Sequence, residues 1–303
     1  MNQPDKGLAA FIQARLRNLS KATGQNVDDL LYYFAIERFL YRLAQSSYCR
    51  NFILKGAFVF LAWGIPLGRP TRDIDLRGYV ENSVEHLVEV MKEICSQPVE
   101  PDGVFFDPDS VTGQSIIQAA DYQGVRIGFI GRLGKSRIRM QIDTGFSDVI
   151  TPDPMLLRFP TLLGMPAPEL RGYPPETVIA EKLQSMIYLG EINSRMKDFY
   201  DLWVLSQRFD FEGTTLQKAI MRTFEARNAS IPIEVPMALT DPFALEKQTM
   251  WTRFLRKFSG DENTTGEFQD IIRILREFLL QPIQAAAQGV IFNARWNSRR
   301  GWY

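Results

Sequence analysis

The sequence predicts an α+β protein, in which a mixed β-sheet flanked by helices is followed by an α-helical C-terminal lobe. Two segments with alternating apolar and polar residues, 125–130 and 137–143, predict a β-hairpin. Apolar residues at helical spacing dominate the chain on both sides of this hairpin. Prolines punctuate residues 152–175 and indicate a boundary. We therefore predict two lobes, residues 1–165 and 166–303.

The elements of the first lobe follow from periodicity and from capping residues. Asn26 can cap the second helix, because its side chain can accept a hydrogen bond from a free backbone N–H. Short apolar runs predict strands at 52–54 and 73–77. Turn-forming residues fill 98–113 and predict a loop, which an apolar run at 104–106 interrupts. Helices are predicted at 4–20, 27–47, 55–63 and 83–96.

The second lobe is predicted to be helical. Pro175 stands in the first turn of a helix that ends at Gly190, a position that suits glycine. A strand is predicted at 155–163, before this lobe begins. The tail, 295–303, mixes arginines with aromatic residues, which suits contacts with phosphates and bases but also a packed or frayed terminus. Helices are predicted at 175–189, 195–206, 214–228, 242–258 and 265–280.

The composition is that of a soluble globular protein and excludes several mechanisms. Lysine plus arginine equals aspartate plus glutamate, at 35 each, so net charge does not favour nucleic acid. Cys49 and Cys95 lack CxxC spacing, which fits a reducing compartment and argues against a zinc site. The single histidine, His86, has a surface helical setting without a nucleophile nearby, which argues against histidine-dependent nucleophilic catalysis. With neither a signal pattern nor a long apolar run, we predict a cytoplasmic protein without a membrane partner.

The segment Asp73-Ile74-Asp75 carries the clearest chemistry. Successive side chains of a strand point to opposite faces, so Asp73 and Asp75 share one face while Ile74 points into the core. Two carboxylates held this close repel each other unless a cation lies between them. Mg²⁺ is commonly held by one or two carboxylates together with substrate phosphates. The segment therefore predicts a site of phosphoryl or nucleotidyl transfer.

A third carboxylate, Asp143, ends the second strand of the hairpin. Ile138, Met140 and Ile142 share one parity in that strand and are predicted to be buried, which places Asp143 on the polar face. If the hairpin packs beside the strand of Asp73, Asp143 joins the metal site. The alternative interpretation is a turn former at the end of a strand.

Charged residues also mark the first two helices of the second lobe. Lys182 projects from an otherwise apolar helical stripe, so it either extends its ammonium outward to water or points into a cleft towards anionic groups. Arg195, Asp198 and Asp201 line one face of the next helix, which is typical of a surface ion-pair cluster.

Together these motifs resemble the AbiEii/AbiGii abortive-infection toxin family, which includes the MenT-like toxins. The order of motifs is also similar to the minimal nucleotidyltransferase fold shared with DNA polymerase β. Ala57 departs from the family, which more often has glycine or serine there, and this departure puts a hydroxyl contact with phosphate in doubt. The resemblance covers residues 50–206 and is carried by Leu54-Lys55-Gly56-Ala57, Arg69-x-Thr71-x-Asp73-Ile74-Asp75-Leu76, Ala180-Glu181-Lys182 and Arg195-x-Lys197-Asp198-x-x-Asp201-Leu202.

The resemblance implies a polymerase β-like nucleotidyltransferase core and a role for each matched residue. Asp73, Asp75 and Asp143 would hold Mg²⁺, with Asp143 near the attacking hydroxyl. Lys182 would contact phosphate, and Asp198 would orient Lys182 or accept a proton. Arg195 is grouped with the nucleotide-binding residues without a defined role. The remaining implied contacts with the triphosphate come from Lys55, the Gly56 backbone, Arg69, Thr71 and Arg72.

The resemblance also implies a substrate and partners. The protein would be the toxin of a toxin–antitoxin pair, would take a nucleoside triphosphate, and would add nucleotides to an RNA such as the 3′ end of tRNA. The arginines expected to grip the RNA backbone are Arg137, Arg139, Arg222, Arg227 and those of the tail.

Three alternatives remain open at this stage. A small-molecule (antibiotic) nucleotidyltransferase would use the same metal site beside an acidic pocket for a cationic acceptor. The same site could instead modify a protein, or the fold could serve as a non-catalytic binding module. We also expect Lys182→Ala to leave the fold nearly intact, because trimming a lysine in a cleft does not empty a core.

Overall fold

The computed structural model of the chain describes residues 6–66, 71–118, 122–256 and 266–303. The chain divides into two compact units. The first contains Met1–Ser147 and Met155–Gly172, and the second contains Asp148–Pro154 and Tyr173–Tyr303. None of the helices in these described ranges has the length and apolar character needed to cross a membrane.

The first unit is a mixed sheet flanked by helices, as predicted. Its helices are α1 Lys6–Thr23, α2 Val27–Gln45, α3 Ala57–Ala62 and α4 Val84–Ser96. Its strands are β1 Phe52–Lys55, β2 Asp73–Gly78, β3 Val104–Gln118, β4 Tyr122–Leu133, β5 Ser136–Gly145, β6 Met155–Arg158 and β7 Glu169–Gly172. The strand order is β3-β4-β5-β2-β1-β7-β6. The pairs β2–β5 and β1–β7 are parallel, and the other neighbours are antiparallel.

One face of the sheet packs against helices because every second residue of its central strands is apolar. In β5, Ile138, Met140 and Ile142 are buried, whereas Arg137 and Arg139 on the opposite face are exposed. This confirms the predicted parity of the strand. The opposite, polar face of β5 is therefore available for chemistry.

Helix α2 covers the apolar face of the sheet. Its start is fixed as predicted, because the Asn26 side chain accepts a hydrogen bond of 2.8 Å from the Asp28 N–H. Phe39 on this helix packs against Phe106 of β3 and Phe129 of β4, with ring centroids 5.6 and 5.0 Å apart. Aromatic packing thus anchors the helix to β3 and β4, the two strands at one edge of the sheet.

The predicted loop at 98–113 is wrong, because most of it belongs to the long strand β3. The pairing of β3 with β4 shifts register between Asp107 and Thr112. The irregular stretch contains Pro108, which has no N–H to give to a ladder and is confined to edge strands and bulges. Ser110 replaces the missing ladder bonds, since its hydroxyl donates to the Asp107 carbonyl (2.6 Å) and accepts from the Ile130 N–H (2.9 Å).

The division between the units differs from the predicted lobes, 1–165 and 166–303. Strand β7 lies beyond the predicted boundary, yet it pairs with β1 and β6 of the first sheet. The segment Asp148–Pro154, in turn, groups with the second unit although it precedes β6. The proline-rich stretch indicated a boundary, but the pairing of a four-residue strand with distant partners is not visible in local sequence.

The second unit is mainly helical, with α5 Pro175–Leu189, α6 Met196–Arg208, α7 Gly213–Ala226, α8 Asp241–Arg256 and α9 Phe268–Gln288. Three short strands, β8 Phe211–Glu212, β9 Arg295–Asn297 and β10 Gly301–Trp302, add a small sheet that the sequence did not predict. The tail is packed rather than frayed. Trp296 donates its indole N–H to the Ser206 carbonyl and Trp302 to the Phe278 carbonyl, each at 2.8 Å.

Candidate active site

The three candidate metal ligands lie on the outer, polar face of β2 and β5. These strands are adjacent and parallel, and their register places Asp75 opposite Asp143 and Asp73 opposite Gln141. Asp73 is exposed, Asp75 is half-buried and Asp143 is buried. The structure therefore brings together the carboxylates that the sequence placed on one face, and Asp143 is not merely a turn former.

The glycine turn before α3 lies directly against this site. Lys55 pairs with Asp75 in the antiparallel ladder of β1 and β2. The next residue, Gly56, has φ +69°, which favours glycine. A Cβ added to Gly56 would lie 2.0 Å from Oδ2 of Asp75. Glycine is thus required both for the backbone conformation and for the space that the Asp75 carboxylate occupies.

Arg126 on β4 is a member of the site that the sequence analysis missed. It is the cross-strand partner of Asp143 and binds that carboxylate with two parallel hydrogen bonds, Nε to Oδ1 at 2.8 Å and Nη2 to Oδ2 at 2.7 Å. These bonds, together with the charges of Asp143, Asp73 and Asp75, raise the pKa of Arg126. The alternation of β4 could have indicated this residue, because Val125, Ile127 and Phe129 are apolar and Arg126 therefore lies on the opposite, polar face.

The donor set suits a hard divalent cation, because Mg²⁺ prefers carboxylate oxygens. Within the described ranges, no three acidic, histidine or cysteine side chains are already arranged around a metal position. Both oxygens of Asp143 are bonded to Arg126, so Asp73 and Asp75 are the pair that fits a cation in this arrangement. The buried Thr71 hydroxyl, just before β2, has no hydrogen-bond partner in the described part of the chain and offers one more polar group nearby.

A groove of about 1050 Å³ runs along the same face of β3, β4 and β5 and reaches Asp73. Among the described residues, its charged lining consists of four arginines and two aspartates: Arg72, Arg126, Arg137, Arg139, Asp28 and Asp73. Because Arg126 is paired with Asp143, the rest of this lining carries one more positive than negative charge, so the groove is basic on balance.

Tyr32 of α2 forms part of the groove wall beside Asp73. Its hydroxyl donates to the Arg72 carbonyl, and its ring lies 5.9 Å from the Arg72 guanidinium. Burial and the charge of Asp73 raise the pKa of Tyr32, so the phenol stays protonated as a donor. The contact ties the residue that precedes Asp73 to helix α2.

The candidate triphosphate ligands of the first unit are placed in part. Lys55 is buried beside Asp75 in the ladder, Thr71 is buried, and Arg72 lines the groove next to Asp73. Arg69 lies outside the described residues. No contact in the structure tests the roles assigned to these side chains, and they remain predictions.

The second unit contains a separate cluster of the predicted residues. Lys182 of α5 donates to Asp198 and contacts Asp201 of α6, each at 2.7 Å, and the Arg195 Nε lies 2.6 Å from Asp198. Lys182 therefore does not extend to water. The interpretation of Asp198 as part of a surface ion-pair cluster is wrong, because its side chain is only 3% exposed.

The electrostatics of this cluster depend on all its members. Burial by itself would lower the pKa of Lys182, but the charges and hydrogen bonds of Asp198 and Asp201 raise it well above its usual range. Burial would likewise raise the pKa of Asp198, and the nearby Lys182 and Arg195 lower it instead. Lys182 is therefore protonated and Asp198 ionised near neutral pH, which makes Lys182 a fixed positive charge.

The arginines expected to grip RNA differ in their surroundings. Arg137 and Arg139 are exposed on the groove. Arg222 donates to the Thr151 hydroxyl (2.9 Å), and Arg227 donates to Gln184 (2.6 Å). In the tail, Arg295 pairs with Glu212. The groove arginines are thus the better candidates for an external anion.

Comparisons with known proteins give one decisive match. The family model described as "Nucleotidyl transferase AbiEii toxin, Type IV TA system" matches residues 38–278, more than half of the chain. No curated protein sequence is significantly similar.

Two solved structures from Helicobacter pylori are among those to which the chain is similar. One is classed provisionally as a nucleotidyltransferase, with 12% identity, a TM-score of 0.45, and coverage of 88% of this chain and 97% of that one. The other is JHP933, with 11% identity, a TM-score of 0.44, and coverage of 87% and 93%. Because both TM-scores are below 0.5, the family assignment rests on the family model.

Replacement of Gly56 by alanine tests the contact with Asp75. Gly64 is the matched control, since it also has positive φ (+74°) but a Cβ added there would meet nothing within 4 Å. Gly64→Ala should lose about 1 kcal/mol of unfolding free energy from backbone strain. Gly56→Ala should lose roughly 2 kcal/mol more and bind Mn²⁺ at least about tenfold more weakly, because Asp75 must move. Equal melting temperatures and equal Mn²⁺ affinities in the two variants would contradict this role.

Replacement of Lys182 tests the second cluster and corrects the expectation that Lys182→Ala leaves the fold nearly intact. Lys182→Met should lower the unfolding free energy by about 3 kcal/mol, because Asp198 and Asp201 are left without their shared cation. Adding Asp201→Asn should restore part of that loss. Chemical denaturation of both variants measures the effect, and a melt unchanged by Lys182→Met would show that the cluster adds no stability.

Proposed function

We propose, since the chain belongs to the AbiEii family of nucleotidyltransferase toxins, that it transfers nucleotides from a nucleoside triphosphate to the 3′ end of tRNA. The reaction would depend on Mg²⁺ and would release pyrophosphate. Loss of a functional tRNA end would block translation. We further propose that the protein acts in the cytoplasm and is neutralised by a cognate antitoxin protein, as the type IV toxin–antitoxin assignment of the family suggests.

The single observation that carries the chemistry is the alignment of Asp75 with Asp143 across a parallel strand pair, with Asp73 on the same face. When bound at Asp73 and Asp75, Mg²⁺ would neutralise phosphate oxygens and favour attack at phosphorus. The buried Asp143 is suited to lie near the attacking hydroxyl. This arrangement of carboxylates would serve little purpose in a protein that only binds a partner.

The chain's own cations would hold the triphosphate. We assign this role to Lys55, Thr71 and Arg72, which flank Asp73 and Asp75 in sequence or in the ladder. Their positive charges and N–H or O–H donors would stabilise the charge that grows as pyrophosphate leaves. In the second unit, Lys182 would bind a phosphate group and Asp198 would fix the direction of its ammonium through the 2.7 Å hydrogen bond.

The basic groove supports an anionic acceptor over a cationic one. An aminoglycoside-like substrate would need an acidic wall, whereas Arg137 and Arg139 face the groove and the acidic residues of its described lining are Asp28 and Asp73. Phosphates of an RNA strand match this surface, and phosphate contacts position a nucleic acid without reading its sequence. The experiment must distinguish modification of RNA from modification of a protein.

The acceptor is tested by incubating the protein with each α-labelled nucleoside triphosphate, Mg²⁺ and total tRNA. We expect label on tRNA with a free 3′ hydroxyl and no label on tRNA whose 3′ ribose has been oxidised with periodate, because the attacking group is then lost. Chelation of the metal should abolish the transfer. Label that appears only on protein or on small molecules, or equally on oxidised tRNA, would overturn the proposal.

The same assay tests the metal ligands. Asp75→Asn should reduce transfer by at least about a thousandfold and should remove growth inhibition, because the pair that holds the cation loses one of its two carboxylates. Glu85→Gln, on the exposed surface of α4 away from the polar face of the sheet, is the matched acidic control and should retain full activity. An active and toxic Asp75→Asn protein would remove the metal assignment.

A further inference from the structure

We propose that Arg126 is an internal counter-cation of the active site, which holds Asp143 before substrates bind and moves to a phosphate of the bound nucleotide when the divalent cation engages Asp143. This inference rests on the proposed function. It assigns a positioning role to a residue outside the family motifs found in the sequence.

The geometry shows that Arg126 and a cation compete for the same ligand. The guanidinium uses both carboxylate oxygens of Asp143, at 2.8 and 2.7 Å, and Gln141 adds a longer contact of 3.4 Å to Oδ1. A carboxylate whose oxygens both accept from one arginine cannot also offer them to Mg²⁺ in the same orientation. Asp143 can therefore become a metal ligand only after its two hydrogen bonds with Arg126 break.

The charges explain why such a residue is needed. Three carboxylates on two adjacent strands would repel each other if nothing positive lay among them. Arg126 reduces their formal charge from −3 to −2, and a divalent cation that takes its place reduces that charge to −1. Without a cation the arginine keeps the strands together, and with a cation its charge is no longer required there.

The position of Arg126 provides a destination for the released guanidinium. Its side chain is 38% exposed whereas that of Asp143 is 10% exposed, so the arginine reaches the carboxylate from the solvent side. Arg126 also lines the groove. A short rotation away from Asp143 leaves its planar fork in the groove, where it can bind phosphate oxygens with the same two-bond geometry.

The test is the affinity for Mn²⁺ and for a non-hydrolysable nucleotide, both measured by calorimetry, which requires no turnover. Arg126→Gln should bind Mn²⁺ alone about tenfold more tightly than the wild type, because the competing charge is gone. It should bind the nucleotide analogue in saturating Mn²⁺ about tenfold more weakly, because a phosphate ligand is lost. Arg126→Lys keeps the positive charge but cannot form the two parallel hydrogen bonds. Its affinities for Mn²⁺ and for the nucleotide analogue should each lie between those of the wild type and of Arg126→Gln.

Arg139→Gln is the matched control, since Arg139 lies on the same face and in the same groove but forms no hydrogen bond or ion pair with Asp143 in the described part of the chain. It should keep the Mn²⁺ affinity of the wild type within about twofold. Unchanged or weaker Mn²⁺ binding in Arg126→Gln would overturn the inference and make the fork purely structural. Tighter Mn²⁺ binding with unchanged nucleotide affinity would overturn the transfer of Arg126 to phosphate. If Arg126→Gln does not fold, Arg126→Lys decides by the same two measurements.

Failure of this inference can be separated from failure of the proposed function. Wild-type protein that binds Mn²⁺ and labels tRNA, while Arg126→Gln binds Mn²⁺ no more tightly, overturns only the role of Arg126. Wild-type protein that binds no Mn²⁺ in the presence of nucleotide overturns both.

Discussion

The parallel pairing of β2 with β5 is the constraint on which the site depends. Neighbouring strands lie about 4.8 Å apart, so a register that aligns Asp75 with Asp143 forces two carboxylates into close range. Their repulsion is a cost that the fold offsets with Arg126 from the next strand and that a divalent cation offsets further. The glycine turn at Gly56 then leaves room for Asp75. A site that destabilises the sheet without a cation is well suited to bind one.

The second unit resolves a similar problem in a different way. Asp198 is buried and would be destabilising alone, but Lys182 and Arg195 bind its two oxygens. Because Asp201 also contacts Lys182, the ammonium is held by two carboxylates and cannot change direction easily. The outcome is an ammonium group with a fixed orientation.

The parts of the site that depend on local pattern were predictable, whereas the partners across strands and helices were not. Strand parity correctly placed Asp143 on the polar face, because alternation is a property of the strand itself. Arg126 was missed, since its pairing depends on the register of two strands. Pro108 obscured the long β3, and the two-residue strand Phe211–Glu212 is too short for any periodicity. The motif around Lys182 was recognised, but its burial between two carboxylates emerged only from the packing of two helices.

The most direct test of the central claim is the position of Mn²⁺, located by anomalous scattering in crystals grown with a non-hydrolysable nucleoside triphosphate. The account predicts a peak bound by the carboxylates of Asp73 and Asp75, with phosphate oxygens of the nucleotide, and Asp143 once Arg126 has left it, completing the coordination. A nucleotide bound elsewhere, or bound without any metal at these two aspartates, would contradict it.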